Sequence, residues 1–364
     1  MKKNGFYKFR LMPLCLSFFI MFATALWSAN PIVYVVGYEN EGAKRNEYDT
    51  VERGKAIAWV DGVKKSLSGL PDTVYSFSIY NGKIYAAGET SNNTPCYSID
   101  GVKKEIKLED ENPELVVSGS VYDIVVYDGQ VYASGETGYY QRPGSGIENV
   151  SALWLGVEIA KNGFMGDYYS NEGGGTYVMQ FTIYKGKPYM TLFSEGIALE
   201  KGANYLGATY VANGKEFKLT GTEAVTSDIK VYNGKVYVSG RYKKGGYNRA
   251  CFWVDGKRVD LPGGKASRAT SIHVAKGKVY VSGYYYDKAN KACYWENGVL
   301  KELAGGTLPG AVDDDALLPI AVHNDKVYIA GYYYEGKTKK ACYWIDGKKV
   351  NLSGGVKAVA IEVQ

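Results

Sequence analysis

Between Ser271 and Glu302 the chain reads SIHVAKGKVYVSGYYYDKANKACYWENGVLKE. Apolar and polar residues alternate in two runs joined by Lys276-Gly277. A tyrosine-rich connector follows, and then two more runs joined by Asn297-Gly298. Two-residue connections ending in glycine suit the type I′ turn, whose backbone twist matches that of the flanking strands. The stretch therefore predicts a four-stranded antiparallel meander, with strands A, B, C and D in chain order.

The unit recurs along the whole chain. Its strand-B tyrosine appears at Tyr34, Tyr85, Tyr132, Tyr189, Tyr237, Tyr280 and Tyr328, at intervals of 43 to 57 residues. A glycine follows three residues later except in the fourth copy, which has Leu192 there and Pro188 before its tyrosine. Strand C carries a tryptophan column at Trp59, Trp154, Trp253, Trp295 and Trp344, with Ser98 and Tyr210 in the remaining copies. Four short strands per period of this length are the signature of a β-propeller. The chain opens on a strand-B pattern, Ile32 to Tyr38, and closes on an isolated strand-A pattern, Ala358 to Val363. The expectation is an all-β, seven-bladed β-propeller with four antiparallel strands per blade. The C-terminal strand A pairs with the N-terminal strand B, which hides the edges an open array would expose.

Composition agrees, with 34 Tyr and 45 Gly in 364 residues. Residues 1–29 read as a secretory signal: Lys2, Lys3, Lys8 and Arg10 precede an apolar run from Leu11 to Leu26, and small residues follow. An uncleaved anchor is the alternative. Residues 30–364 form the propeller domain, with no transmembrane segment in the mature chain. Removing the four N-terminal cations lowers the net charge from +5 to +1, so the basic balance of the full chain does not predict nucleic-acid binding. The expected location is periplasmic, cell-surface or secreted, and the expected state a monomer. Cys96, Cys251, Cys293 and Cys342 occupy equivalent positions in strand C. Equivalent positions in different repeats lie too far apart for disulfides, so buried free thiols are expected. No metal or cofactor motif is visible.

In a meander blade the A-B and C-D turns lie on one face and the B-C and D-A loops on the other. The turn face collects lysines, among them Lys83, Lys187, Lys235, Lys278 and Lys326. With the mature charge near zero, acids are expected on the loop face, at Glu39, Glu41, Glu109, Asp110, Glu111, Asp287 and Asp313 to Asp315. Long loops are expected at Glu39 to Lys55, Thr137 to Val150 and Asn162 to Gly175. Tyr139, Tyr140, Tyr168, Tyr169, Tyr284 and Tyr332 are the candidate ligand-binding residues, because exposed aromatic rings stack on sugars or protein partners. The competing use of such tyrosines is packing between blades.

At the position where inner strands meet the channel mouth, the repeats show Ser76, Asp123, Gln180, Asp228, Ser271, Pro319 and Ala360. Asp123 and Asp228 are the alternative, catalytic candidates, as an acid-base pair or as cation ligands; capping of strand starts is their structural use. His273 and His323 lie in strand A of successive blades with no nucleophile motif beside them. The clearest repeats, VYVSGYYYDKANKACYWENG and VYIAGYYYEGKTKKACYWIDG, resemble the propeller repeats of uncharacterised exported bacterial proteins. That resemblance implies the fold and brings no catalytic residues. The expected function is a non-enzymatic exported propeller that binds a glycan or protein partner through its loop face. The alternative is a glycan-processing hydrolase or lyase with carboxylates at the channel mouth.

Overall fold

The computed structural model describes residues 30–40, 54–65, 67–106, 116–140, 147–155, 158–159, 176–198, 203–212, 214–220, 223–308 and 317–364. The proposed signal, the acids Glu41, Glu109 to Glu111 and Asp313 to Asp315, and Tyr168 and Tyr169 lie outside these residues. The described residues form a β-propeller of seven four-stranded antiparallel sheets. Six are sequential meanders, such as Ala266–Ala275, Lys278–Tyr286, Asn290–Glu296 and Val299–Leu308. The seventh joins the two ends of the propeller: Lys357–Val363 pairs with Val33–Tyr38, setting Ile361 opposite Val35. Taking that sheet as blade 1, the innermost strands are Lys357–Val363, Thr73–Tyr80, Val116–Tyr127, Thr176–Tyr184, Val225–Tyr232, Ala266–Ala275 and Ile320–His323. Each touches the next in this order, and the last touches the first.

The turns have the expected backbone. Asn81, Asp128, Lys185, Asn233, Lys276 and Asn324 all adopt φ near +50° as the first turn residue between strands A and B. On the C-D side, Asp61, Asp100, Asp255, Asn297 and Asp346 adopt the same conformation and add a bond. Their side-chain oxygens accept the amides of Val33, Ile84, Val236, Val279 and Val327, each at 2.9 Å. Asx side chains tolerate this left-handed conformation and supply the acceptor, which is why the repeat keeps Asp or Asn there.

Cores lie between blades. Trp59, Trp253, Trp295 and Trp344 are fully buried. Three of these indoles donate to the preceding blade: Trp59 to Ser353 O at 3.0 Å and Trp295 to Pro262 O at 2.6 Å, both in D-A loops, and Trp344 to Ala304 O in strand D at 2.9 Å. The four cysteines are free and buried. Burial pushes the Cys96 thiol up to about 12, so it acts as a small apolar residue and not as a nucleophile.

The strand-B glycine faces a β-bulge. Register shifts by one residue in strand A at Val74/Ser76, Val121/Asp123, Thr226/Asp228 and Ala269/Ser271, opposite Gly88, Gly135, Gly240 and Gly283. A Cβ on these glycines would run into the carbonyl oxygens of Thr73, Ser120, Val225 and Arg268. Blade 4 keeps the bulge, at Val178/Gln180, with Leu192 in place of the glycine. One expectation fails here: Thr137 to Val150 is not a long loop, because strands Gln130–Tyr140 and Ile147–Leu155 run through most of it and pair Tyr140 with Ile147. Gly283→Ala should lower the unfolding free energy by about 1–3 kcal/mol through overpacking at the bulge, read as the midpoint shift in urea denaturation.

Candidate functional site

Two places on this scaffold gather polar chemistry, the central channel and one sector of the loop-face rim. The bulge determines the first. The residue after each bulge points toward the neighbouring blade, and at this position Asp123 and Asp228 are both buried. Asp123 Oδ1 accepts Ser76 Oγ of blade 2 at 2.6 Å, and its Oδ2 accepts the Phe181 amide of blade 4 at 3.2 Å. Asp228 Oδ2 accepts Ser271 Oγ at 2.7 Å and the Ile272 amide at 3.0 Å, both of blade 6. Each carboxylate therefore ties adjacent inner strands together through an otherwise unpaired edge amide.

Two residues further on, the same register places Lys230 opposite Tyr237, His273 opposite Tyr280 and Glu362 opposite Tyr34. Lys230 Nζ lies 3.2 Å from Asp228 Oδ1. Protein surrounds this ammonium, yet 39% of its side-chain surface is open to solvent, as expected of a residue lining a channel. It interacts with Asp228 of its own blade, Asp123 of blade 3 and Glu362 of blade 1. Blades 1, 3 and 5 can meet electrostatically in this way across the axis.

Burial dominates the titration of this cluster. It raises Asp123 to about 6 and Glu362 to about 7, in both cases against the pull of Lys230. Burial, assisted by Lys230, lowers His273 to about 4 and keeps the imidazole neutral at pH 7. Lys230 itself is raised, because its carboxylate neighbours together outweigh the burial that disfavours its charge. Among the described residues no group of three or more His, Cys, Asp or Glu is arranged to hold a metal ion.

The second place is the loop face between blades 5 and 6. The B-C hairpin of blade 5 ends strand B at Lys244 and begins strand C at Tyr247; that of blade 6 ends strand B at Tyr286. The D-A loop between the two blades is stitched to both. Arg249 donates to Gly264 O at 2.7 Å, and the Lys265 amide donates to Tyr286 O at 2.7 Å. Gly264 has φ +39°, and a Cβ there would run into Tyr286 O. Tyr247 and Tyr286 are each 40% exposed. Lys265 Nζ sits 4.8 Å from the Tyr247 ring centroid, and its interaction with that tyrosine holds its pKa above the usual lysine value.

The tyrosine candidates fare unevenly. Tyr284 and Tyr332 are not at the surface: both are buried in the core between blades 6 and 7. Strand B has a blade on either side, so both of its faces are covered, and neither ring is available to a ligand. Tyr139 and Tyr140 end a strand instead of occupying a loop. Tyr247 and Lys265 were missed in the sequence, although each lies within two residues of a B-C or D-A turn, and Tyr286 belongs to the tyrosine-rich connector from which only Tyr284 was singled out. Lys230 and Glu362 were also missed, although they share the register of His273.

The expected acidity of the loop face does not extend to the B-C segments of blades 5 to 7; Asp313 to Asp315 lie outside the described residues. Those B-C segments, 241–249, 284–291 and 332–340, carry nine Lys or Arg against Asp287 and Glu335. Glu39, the first acid of blade 1, is engaged by Lys64 and by Lys55, the latter at 3.6 Å.

No protein-family model matches the chain, and no curated protein matches it in sequence. Among solved structures it is similar to the acylaminoacyl peptidase of Pyrococcus horikoshii, with a TM-score of 0.47 and 13% identity over 89% of this chain and 52% of that one. It is similar to the β-propeller domain of the Trilobed protease from Pyrococcus furiosus, with a TM-score of 0.45 and 11% identity over 89% and 94% of the two chains. A thermostable family-43 glycoside hydrolase gives a TM-score of 0.38 and 10% identity over 66% of this chain and 97% of that one. Likeness at this level transfers no activity. Among the described residues no helix is long and apolar enough to cross a membrane.

The channel acids make stability depend on pH. Glu362 binds its proton more tightly folded than unfolded, so its contribution is present below about pH 4.5 and declines as pH rises to about 7. Glu362→Gln should raise the unfolding free energy at pH 8 by about 1–3 kcal/mol and leave it unchanged at pH 4, measured by urea denaturation at both values.

Proposed function

We propose that the protein is an exported, closed, seven-bladed propeller that acts without catalysis and binds a glycan or a protein partner through its B-C/D-A face. The observation that carries this reading is the pair of half-exposed tyrosines, Tyr247 and Tyr286, flanking Lys265 on a loop fixed to both neighbouring blades. Tyrosine offers a large, rigid, amphipathic surface with few rotatable bonds to immobilise, so a preset pair loses little entropy on binding.

A second reading, a glycan-processing hydrolase or lyase, draws on Asp123 and Asp228. Burial, with a small contribution from the charge of Asp228, raises Asp123 to about 6, a value suited to a general acid. Against it, both carboxylates already accept backbone amides and serine hydroxyls of neighbouring blades. Those bonds explain their presence without substrate.

The two readings separate on one panel of polysaccharides and peptides. The double variant Tyr247→Ala/Tyr286→Ala should lose binding by about tenfold or more on a glycan or peptide array with an unchanged melting temperature. Release of reducing ends or unsaturated products by the native protein, abolished in Asp123→Asn, would instead establish the enzyme.

A further inference from the structure

We infer that the rim of blades 5 and 6 recognises an anionic glycan, a polysaccharide bearing carboxylate or sulfate groups, with Lys265 as the central anion contact. This rests on the reading of the loop face as the binding surface and goes beyond it by naming the chemical class. The first argument is local charge. The mature chain is near neutral, but segment 241–249 carries Arg241, Lys243, Lys244 and Arg249 with no acid. Lys243 is paired with Glu223 at 2.5 Å. Lys244, Lys265 and Lys288 are exposed, with no carboxylate within ion-pair distance among the described residues. Several unpaired cations on one rim, in a protein of small net charge, create a local positive field that attracts an anionic chain.

The second argument is the aromatic frame around the cation. Lys265 Nζ lies 4.8 Å from the Tyr247 ring centroid, and the Lys265 amide is bonded to Tyr286 O, which brings both exposed tyrosines to the same lysine. A sugar ring can stack its C–H face on either tyrosine while its carboxylate or sulfate meets the ammonium between them. A protein partner would supply anions at irregular intervals, whereas a polysaccharide repeats ring and charge together, as the Tyr-Lys-Tyr order requires.

The third argument concerns which cations are free. Nucleic-acid phosphates are favoured by arginine forks. Arg249 here is directed inward to Gly264 O, and the unpaired cations of the rim are lysines, which act as point charges. The frame is also preset. Two backbone-directed bonds hold the loop, and Gly264 fits where no side chain would. The anion contact therefore requires no loop closure.

The test is calorimetric titration of the propeller chain with oligogalacturonate, chondroitin sulfate, methyl-esterified oligogalacturonate and poly-dT. The expected result is binding to one or both acidic glycans, weakening with added salt and absent for the methyl ester. Binding of oligogalacturonate reports carboxylate recognition, whereas binding of chondroitin sulfate alone, which bears both carboxylates and sulfates, reports a requirement for sulfate. Lys265→Gln should weaken binding about tenfold, and Lys265→Arg should retain most of it. Both variants should keep the native melting temperature, because the side chain is exposed. Equal binding of the methyl ester would overturn the anionic class while leaving a glycan-binding loop face intact. Preference for poly-dT would overturn it in favour of nucleic acid. Undiminished binding in Lys265→Gln would remove the site from this rim. Failure of all four probes, with a neutral glycan or a peptide binding in a Tyr247-dependent manner on the array, would overturn this inference alone. Failure of the array as well would overturn the underlying reading.

Discussion

The close approach of strand B to the bulge of strand A is the constraint on which most of the molecule depends. One extra residue in the innermost strand bends it and strengthens its twist, which a narrow channel requires of every blade. The extra residue also brings a strand-A carbonyl against strand B, where five blades make room with Gly37, Gly88, Gly135, Gly240 and Gly283. The residue after the bulge then points at the neighbouring inner strand. There Asp123 and Asp228 bond to edge amides that no further strand will pair. A local backbone irregularity is thereby converted into inter-blade attachment, and the tryptophan indoles do the same toward the rim.

That attachment explains the uneven character of the channel. A lysine and three carboxylates from blades 1, 3 and 5 converge at the channel; burial raises the proton affinities of Asp123 and Glu362, and the carboxylates raise that of Lys230. Lys230 offsets part of the cost of burying the carboxylates, so the cluster is better described as a polar fastening than as an open ligand cavity. In the proposed reading, recognition belongs to the face where B-C hairpins and D-A loops project beyond the sheets. The part of this face between blades 5 and 6 combines rigidity, exposed rings and unpaired cations.

The architecture was legible because its signals are local. Period-two alternation, Asn-Gly and Asp-Gly turns and the recurring tyrosine each follow from one blade's own geometry, and repetition made them unmistakable. The candidate site was less legible. The triplets Tyr284 to Tyr286 and Tyr332 to Tyr334 read as loops, yet strand B continues through them, and a strand covered on both faces buries successive residues. Tyr286, at the end of the strand, is the exposed member of its triplet. A net charge of +1 for residues 30–364 likewise hid a basic sector, since a sum over the chain carries no position. Lys230 and Glu362 needed the strand register to be placed beside Asp123. That register was available in the position of each strand-B tyrosine, two residues from the bulge level.

The account's central claim, that a rigid wheel presents its binding surface at the blade 5–6 rim, is tested most directly by hydrogen-exchange mass spectrometry of the propeller with and without oligogalacturonate. Protection confined to segments 243–250, 263–266 and 286–290 is the predicted result. Protection at the opposite turns, 185–186, 276–277 and 324–325, or along the inner strand 225–232, would contradict it.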